Sequence, residues 1–193
     1  MQANEINAVR TDLLRRDLQE SFTHSHIDPS QLSKFQRIIL TTDGTLTEIL
    51  EAYLLEKIQI VKLSEELVGI AQDIPSLDLK IESEVIARKV LLQGKISRRN
   101  WIYAESIIVP DRLDELFRER LLKSREPIGR LWLEHQLETF KEVIDSSREI
   151  AGDLSNYFKV SSEEKLLCRT YRVFSNRKPI MMITEKFPEQ FFV

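Results

Sequence analysis

The sequence is poor in the features that mark several large classes of protein. Its single cysteine, Cys168, excludes an intramolecular disulfide framework, and its three histidines do not have the spacing of a zinc site. A net charge of −3 argues against a general nucleic-acid binder. No apolar run approaches the roughly 18 residues that span a membrane, and the first residues do not resemble a signal peptide. We therefore expect a cytoplasmic protein without a metal, a nucleic-acid partner or a membrane span.

The composition suits one globular domain. Of the 193 residues 42% are hydrophobic, which is enough to bury a core. No internal repeat, low-complexity tract or linker divides the chain. We therefore predict a single domain over residues 1–193, with leading helices in residues 1–40 and a sheet with inserted helices in residues 57–188.

Helical periodicity dominates the first part of the chain. Apolar residues at helical spacing predict one helix over residues 4–22 and another over residues 32–40. Thr45, followed three residues later by a glutamate, forms a capping-box pattern that predicts a helix as far as about Glu56. Further along, Pro110 begins a short amphipathic helix. Its predicted apolar side holds Leu113, Leu116, Phe117 and Leu121.

From residue 58 onward the apolar residues mostly alternate with polar ones, which is the pattern of β-strands. The predicted strand regions are residues 58–63, 84–92, 99–109, 140–150, 169–174 and 179–188. Hairpin-like links join most of them, and no alternation of strands with helices is evident. We therefore predict an α+β fold built on an antiparallel sheet of about six strands.

A carboxylate interrupts the apolar face of the last predicted strand. Glu185 has the same strand parity as Met181, Ile183 and Phe187. Apolar surroundings disfavour the charged form of a carboxyl group, so Glu185 is expected to carry a proton near neutral pH and to act as a general acid. The alternative is a glutamate near a strand end whose side chain bends out to solvent.

Arg88 lies in the middle of a predicted strand. Its parity partners are Ile86, Val90 and Leu92, which form an apolar face. A buried guanidinium requires a partner, and a ligand carboxylate held by two hydrogen bonds is one natural choice. The alternatives are an internal salt bridge to a glutamate, or an Arg88 side chain on a solvated edge.

Two breaks in the pattern can present backbone N–H groups to an anion. Residues 43–47, Asp-Gly-Thr-Leu-Thr, resemble the nucleophile loop of haloacid-dehalogenase-like phosphatases, but the nucleophile position holds Thr41. A turn and helix cap is the simpler interpretation. Residues 127–130, Pro-Ile-Gly-Arg, are either a tight turn or, if a helix begins at Gly129, a place where the N–H groups of Ile128 and Gly129 bind a carboxylate. The histidines have no paired nucleophile and are assigned no catalytic role.

Together these segments resemble the chorismate pyruvate-lyase family, and in particular its branch with a Thr-Thr-Asp-Gly-Thr turn. The resemblance covers most of the chain. It rests on the order of four segments rather than on any one of them: Leu40–Thr47, Arg88–Leu91, Pro127–Arg130 and Lys178–Pro188.

The resemblance implies a six-stranded antiparallel sheet covered by helices around an internal ligand pocket. It also implies that pyruvate is removed from chorismate to give 4-hydroxybenzoate, for quinone-type aromatic biosynthesis, without a metal or cofactor. On this basis Arg88 binds a substrate carboxylate and Glu185 is the catalytic acid or proton shuttle. The other residues placed against the ligand by the resemblance are Ile128, Gly129, Thr45 and Leu46.

A non-catalytic role is the alternative. The same fold resembles the effector-binding domain of a class of bacterial transcription regulators, in which a pocket binds a small metabolite. Those domains normally follow a DNA-binding winged helix, and the roughly forty residues before Leu40 are too few and not basic enough to form one. A free-standing sensor of aromatic carboxylates therefore remains the second hypothesis.

Overall fold

The computed structural model describes residues 26–123, 127–134 and 138–193. The strands in these ranges are β1 (Ile58–Gly69), β2 (Glu84–Gly94), β3 (Asn100–Ile108), β4 (Phe140–Ile150), β5 (Lys165–Ser175) and β6 (Lys178–Pro188). The α-helices are α1 (Lys34–Thr41), α2 (Leu46–Leu54), α3 (Glu115–Lys123), α4 (Ile128–Glu134) and α5 (Ser155–Phe158). None of these helices is long and apolar enough to cross a membrane. The helix predicted over residues 4–22 lies outside the described residues, so a single domain over residues 1–193 stays a prediction.

The six strands form one antiparallel sheet in the order β1-β2-β3-β6-β5-β4. Two three-stranded halves therefore meet where β3 pairs with β6. The turn between β5 and β6 has only two residues, Asn176 and Arg177, both with positive φ (50° and 61°). Two such residues give a turn whose twist matches that of paired strands. The predicted α+β fold is confirmed, and an all-antiparallel sheet excludes the strand–helix alternation of the phosphatases considered above.

The helix starts differ in detail from the sequence prediction. A capping box begins α1: the Ser33 hydroxyl accepts from the Gln36 N–H at 3.1 Å, and the Gln36 side chain accepts from the Ser33 N–H at 2.7 Å. Thr45 stands at the N-cap of α2 but makes no side-chain capping bond, so the capping box predicted there is wrong. Its side chain lies instead against Gly129. Helix α2 ends at Leu54, two residues before the predicted end.

The amphipathic helix after Pro110 is confirmed with one correction. A 3₁₀ turn at Pro110–Arg112 precedes α3, and Phe117 and Leu121 of α3 are fully buried. Leu116, which was predicted on the apolar side, is 57% exposed. One residue along a helix turns the side chain by about 100°, so Leu116 cannot share the inward direction of its neighbour Phe117.

Two apolar clusters pack helices against the same face of the sheet. The first joins α1 and α2 to the sheet and includes Leu40, Leu46, Leu50, Ile60, Leu92 and Phe187. The second joins α3 and α4 to the sheet and includes Ile86, Ile108, Phe117, Leu121, Trp132 and Met181. Buried polar side chains lie on the strands between the clusters: Arg88, Ser106, Arg169 and Glu185. The fold therefore creates a polar seam, named here by these four residues, inside its apolar core.

Candidate active site

The polar seam borders a cavity of about 60 Å³ between the sheet and the starts of α2 and α4. All six residues predicted as a site line this cavity: Thr45, Leu46, Arg88, Ile128, Gly129 and Glu185. The cavity is also lined by polar and aromatic side chains that the sequence prediction did not include: Ser106, Trp132, Lys141 and Tyr171. The structure thus brings the predicted residues together around one cavity.

Arg88 is buried, and some of its N–H groups have no acceptor among the described residues. It is 2% exposed and lies between Glu65 of β1 and Ser106 of β3 in the sheet register. Its Nε is 3.3 Å from a Glu65 carboxylate oxygen, but neither Nε nor Nη1 has a hydrogen-bond acceptor among the described residues. Burial lowers the pKa of the Arg88 guanidinium, and the Glu65 charge opposes that shift. The internal ion pair considered from the sequence is present, yet it leaves N–H groups at the cavity unsatisfied.

An unsatisfied buried donor is costly. Each one destabilises a protein by about 1–3 kcal/mol, and more when the group is charged. A ligand carboxylate in the cavity would accept from these N–H groups with charge-assisted hydrogen bonds. The ion pair with Glu65 therefore leaves N–H groups of Arg88 available to an acceptor in the cavity.

The surroundings of Glu185 differ from the sequence expectation. Its neighbours along β6 are apolar, but its cross-strand partner on β5 is Arg169, which is 1% exposed. Arg169 donates to one Glu185 carboxylate oxygen from Nη2 at 2.7 Å and from Nε at 3.2 Å. The Tyr171 hydroxyl donates to the other oxygen at 3.0 Å. The carboxylate of Glu185 therefore has hydrogen-bond donors from β5 as well as apolar neighbours along β6, and the sequence analysis did not include these donors.

Tyr171 is a fixed donor in this group. Burial, followed by the charge of Glu185, raises the pKa of the Tyr171 hydroxyl well above its ordinary value. The hydroxyl therefore stays protonated at any physiological pH. Glu185 thus accepts a hydrogen bond from a hydroxyl that keeps its proton.

Arg169 also ties Glu185 to the end of α1. Its Nη1 donates to the carbonyls of Ile39 at 2.5 Å and Thr42 at 3.0 Å. The last carbonyls of a helix lack partners within the helix and carry partial negative charge, so a guanidinium there is doubly favourable. Arg169 is not among the residues that line the cavity. It holds the Glu185 carboxylate and connects it to the turn of residues 42–45 through the Thr42 carbonyl.

Lys141 reaches the cavity from β4, the edge strand of the sheet. Its ammonium donates to the Gly44 carbonyl at 2.7 Å and lies 5.2 Å from the centre of the Trp132 ring and 5.7 Å from that of Tyr171. Burial lowers the pKa of Lys141 to about 8, although the nearby charge of Glu185 works in the opposite direction. The ammonium is thus a second cation at the cavity, distinct from Arg88.

Two helix starts form the other wall. Helix α4 begins at Ile128, so the N–H groups of Ile128 and Gly129 belong to its first turn and have no acceptor within the helix. A Cβ atom at Gly129 would lie 2.3 Å from the Thr45 methyl carbon. Only glycine therefore lets α4 approach the start of α2 this closely, and this contact closes the cavity on the helix side.

The described part of the chain offers no cluster of three or more His, Cys, Asp or Glu side chains that can hold a metal ion. Of the histidines, His24 and His135 lie outside the described residues. His26 is an exposed side chain 3.4 Å from Asp145 and is not among the residues that line the cavity.

Comparison with known proteins agrees with this architecture. The chorismate pyruvate-lyase of Mycobacterium leprae (strain TN) is 31% identical over 175 residues, which cover 88% of this chain and 81% of that protein. The chorismate pyruvate-lyase of Mycobacterium tuberculosis (strain ATCC 25618 / H37Rv) is 27% identical over 169 residues, or 84% of this chain and 83% of that protein.

Among solved structures, the effector domain of PhnF from Mycobacterium smegmatis has the same fold, with a TM-score of 0.60 over 77% of this chain and 91% of that one. At 8% identity this likeness concerns the fold alone. A model of the family described as Rv2949c-like chorismate pyruvate-lyases matches residues 40–192. The chain therefore belongs to the Rv2949c-like chorismate pyruvate-lyase family.

Proposed function

We propose that this protein removes pyruvate from chorismate to give 4-hydroxybenzoate. The observation that carries the proposal is that one cavity is lined both by a buried Arg88 with unsatisfied N–H groups and by a Glu185 carboxylate that Arg169 and Tyr171 hold. Chorismate presents an anion for the first group and a transferable proton for the second. Membership of the family supports the same reaction.

Arg88 binds the ring carboxylate in this proposal. Its free N–H groups provide charge-assisted donors, and the main-chain N–H of Ile128 adds one more from the start of α4. Ile in place of the family's Leu at this position leaves a main-chain contact unchanged. Apolar side chains of the cavity wall face the ring between the two polar ends: Ile60, Val90, Leu92 and Ile183.

In this proposal Glu185 lies at the opposite end of the ring from Arg88, and the strand register supports that arrangement. Arg88 is in the cross-strand row of Ser106 and Ile183, and Glu185 lies two residues further along β6. Two strand spacings and two residues separate the Cα atoms of Arg88 and Glu185 by about 12 Å. With both side chains directed into the cavity, that span suits a six-membered ring with its carboxylate at one end and its hydroxyl-bearing carbon at the other.

Glu185 then acts as a proton shuttle. Its carboxylate takes the proton from the ring carbon that bears the hydroxyl while the bond between the ring and the enolpyruvyl oxygen breaks. The carboxyl group formed in this way returns a proton to the departing enolpyruvate, which becomes pyruvate. Aromatisation of the ring drives the reaction, so the protein needs only to orient the substrate and move one proton.

The proposal is tested by incubating purified protein with chorismate and measuring pyruvate and 4-hydroxybenzoate together by chromatography. Equal amounts of both are expected. Glu185→Gln should reduce turnover by roughly 10²–10⁴-fold and retain binding of 4-hydroxybenzoate. The exposed Glu163→Gln serves as the matched control. Undiminished turnover by Glu185→Gln would remove this residue from the mechanism.

A sensor without catalysis is the second candidate, because the effector domain of PhnF shares the fold. Saturable binding of 4-hydroxybenzoate by a well-folded protein that releases no pyruvate from chorismate would favour it. In the lyase proposal the protein acts in the cytoplasm, its product enters quinone-type aromatic biosynthesis, and no metal or cofactor takes part.

A further inference from the structure

Lys141 is a cation at the cavity that the mechanism above does not use. The proposed substrate has two carboxylates, one on the ring and one on the enolpyruvyl group. Arg88 and the Ile128 N–H are assigned to the ring carboxylate. The second carboxylate is therefore still without an assigned partner, and Lys141 is the remaining cation among the residues that line the cavity.

The sheet places Lys141 on the far side of Glu185 from Arg88. Arg88 is on β2 and Lys141 on β4, with β3, β6 and β5 between them. Four strand spacings amount to about 19 Å, yet both side chains line the same cavity, so each reaches inward from its own side. The Lys141 ammonium lies 5.7 Å from the centre of the Tyr171 ring, and the Tyr171 hydroxyl donates to Glu185. Lys141 is thus directed toward the proton-handling end of the site.

This end of the cavity has N–H groups that no acceptor of the described residues uses. An ammonium has three N–H groups, and among the described residues Lys141 donates only to the Gly44 carbonyl. The indole N–H of Trp132, a side chain 6% exposed, is buried and has no acceptor within the described ranges. Trp132 lines the cavity beneath the same ammonium, 5.2 Å from its ring centre. The remaining N–H groups of the ammonium and the unpaired indole N–H are donors of the kind that an incoming carboxylate requires.

We propose that Lys141, assisted by the Trp132 N–H, binds the enolpyruvyl carboxylate and so selects a dicarboxylate substrate over the monocarboxylate product. The inference rests on the proposed lyase function. It explains how one cavity can hold the substrate and release 4-hydroxybenzoate: once pyruvate has left, the product has no group for Lys141 to bind.

The charges around Lys141 are compatible with this role. Glu185 on β6, Asp43 in the preceding turn and Glu48 on α2 favour the ammonium form, whereas Arg169 on β5 opposes it. Tyr171 remains neutral because of its raised pKa. With a pKa near 8, most Lys141 side chains are charged at neutral pH and lose the charge as the pH rises above 8.

The test compares two ligands that do not react. One is 4-hydroxybenzoate, and the other is 4-hydroxybenzoate that carries a carboxymethoxy group next to its hydroxyl, which supplies the second carboxylate. Lys141→Met should weaken binding of the dicarboxylate by roughly 10–100-fold, since a charged hydrogen bond is lost, and change the affinity for 4-hydroxybenzoate less than twofold. Lys141→Arg should retain most of the preference, and the exposed Lys165→Met is the control. Equal weakening of both ligands would mean a purely structural Lys141 and would overturn the inference.

Turnover gives an independent readout. We expect Lys141→Met to raise KM for chorismate more than it lowers kcat. We also expect kcat/KM of the unmodified protein to fall above about pH 8. That fall should disappear in Lys141→Arg, whose guanidinium stays charged. If the unmodified protein releases no pyruvate but prefers the dicarboxylate through Lys141, the lyase function fails and this site stands. Two other outcomes are release of pyruvate with no preference for the dicarboxylate, and release of pyruvate with a preference that Lys141→Met keeps. In either case the proposed Lys141 site is wrong and the lyase function stands.

Discussion

The buried pair of Arg169 and Glu185 gives a prediction about stability whose magnitude follows from its contacts. Arg169→Met leaves Glu185 with only the Tyr171 hydroxyl, and loss of one partner of a buried ion pair costs about 3–5 kcal/mol. The carbonyls of Ile39 and Thr42 also lose their guanidinium donor, which adds about 1–2 kcal/mol. We therefore expect the free energy of unfolding of Arg169→Met to fall by about 5 kcal/mol.

Removal of the other partner should destabilise the protein less. Glu185→Met leaves Arg169 with two carbonyl acceptors, so we expect a loss of about 2–3 kcal/mol. When both residues are methionine, neither charge of this pair is left buried without the other. The double variant should therefore lose about 3 kcal/mol less stability than the two single losses added together.

Urea denaturation followed by circular dichroism measures all four proteins of this cycle. A shift of the midpoint at constant slope reports stability alone. The single Arg169→Met variant should also melt about 10–20 °C lower, at 2–4 °C per kcal/mol for a chain of this size. A double variant that loses as much as the two singles combined would refute the reasoning, because the residues would then not be coupled.

Two further predictions concern the cavity walls. Arg88→Ala should weaken binding of 4-hydroxybenzoate by roughly 10–100-fold, because charged hydrogen bonds to the carboxylate are lost. Calorimetry checks this, with the exposed Lys89→Ala of the same strand as the control, and unchanged affinity would exclude the carboxylate clamp. Gly129→Ala should lower the free energy of unfolding by about 1–3 kcal/mol through overpacking, since its Cβ atom would meet the Thr45 methyl group at 2.3 Å. Thr45→Ser removes that methyl group and should recover most of the loss; a failure to do so would place the clash elsewhere.

The sequence predicts most of the sheet because five of its strands are strongly patterned or bounded by clear turns. Alternation along β6 correctly puts Glu185 on the buried face. The sequence does not reveal its partner Arg169. A two-residue turn at Asn176 and Arg177 with regular pairing would set Arg169 opposite Thr184, and the register shift between Val173 and Phe174 sets it opposite Glu185 instead. Alternation within a single strand reveals a face, whereas the cross-strand partner requires the register as well.

The sequence pattern does not mark Lys141 either. Strand β4 is an edge strand in which few side chains are fully buried, so its apolar residues do not mark one face. The register also shifts between Val143 and Asp145. An extra residue of this kind moves the side chains beyond it to the other parity. Lys141 and the buried Ser146 can therefore lie on the same face although they are an odd number of residues apart, which a simple alternation rule excludes.

The turn of residues 42–45 has a further consequence for how the site meets its ligand. Arg169 binds the Thr42 carbonyl and Lys141 binds the Gly44 carbonyl, so cations of two different strands hold this turn over the cavity. The conformational entropy of ordering the turn is thus lost when the chain folds and not when a ligand arrives. Preorganised sites of this kind retain more of their contact energy as affinity. The shape of the site is therefore a property of the folded chain, and the ligand has only to fit it.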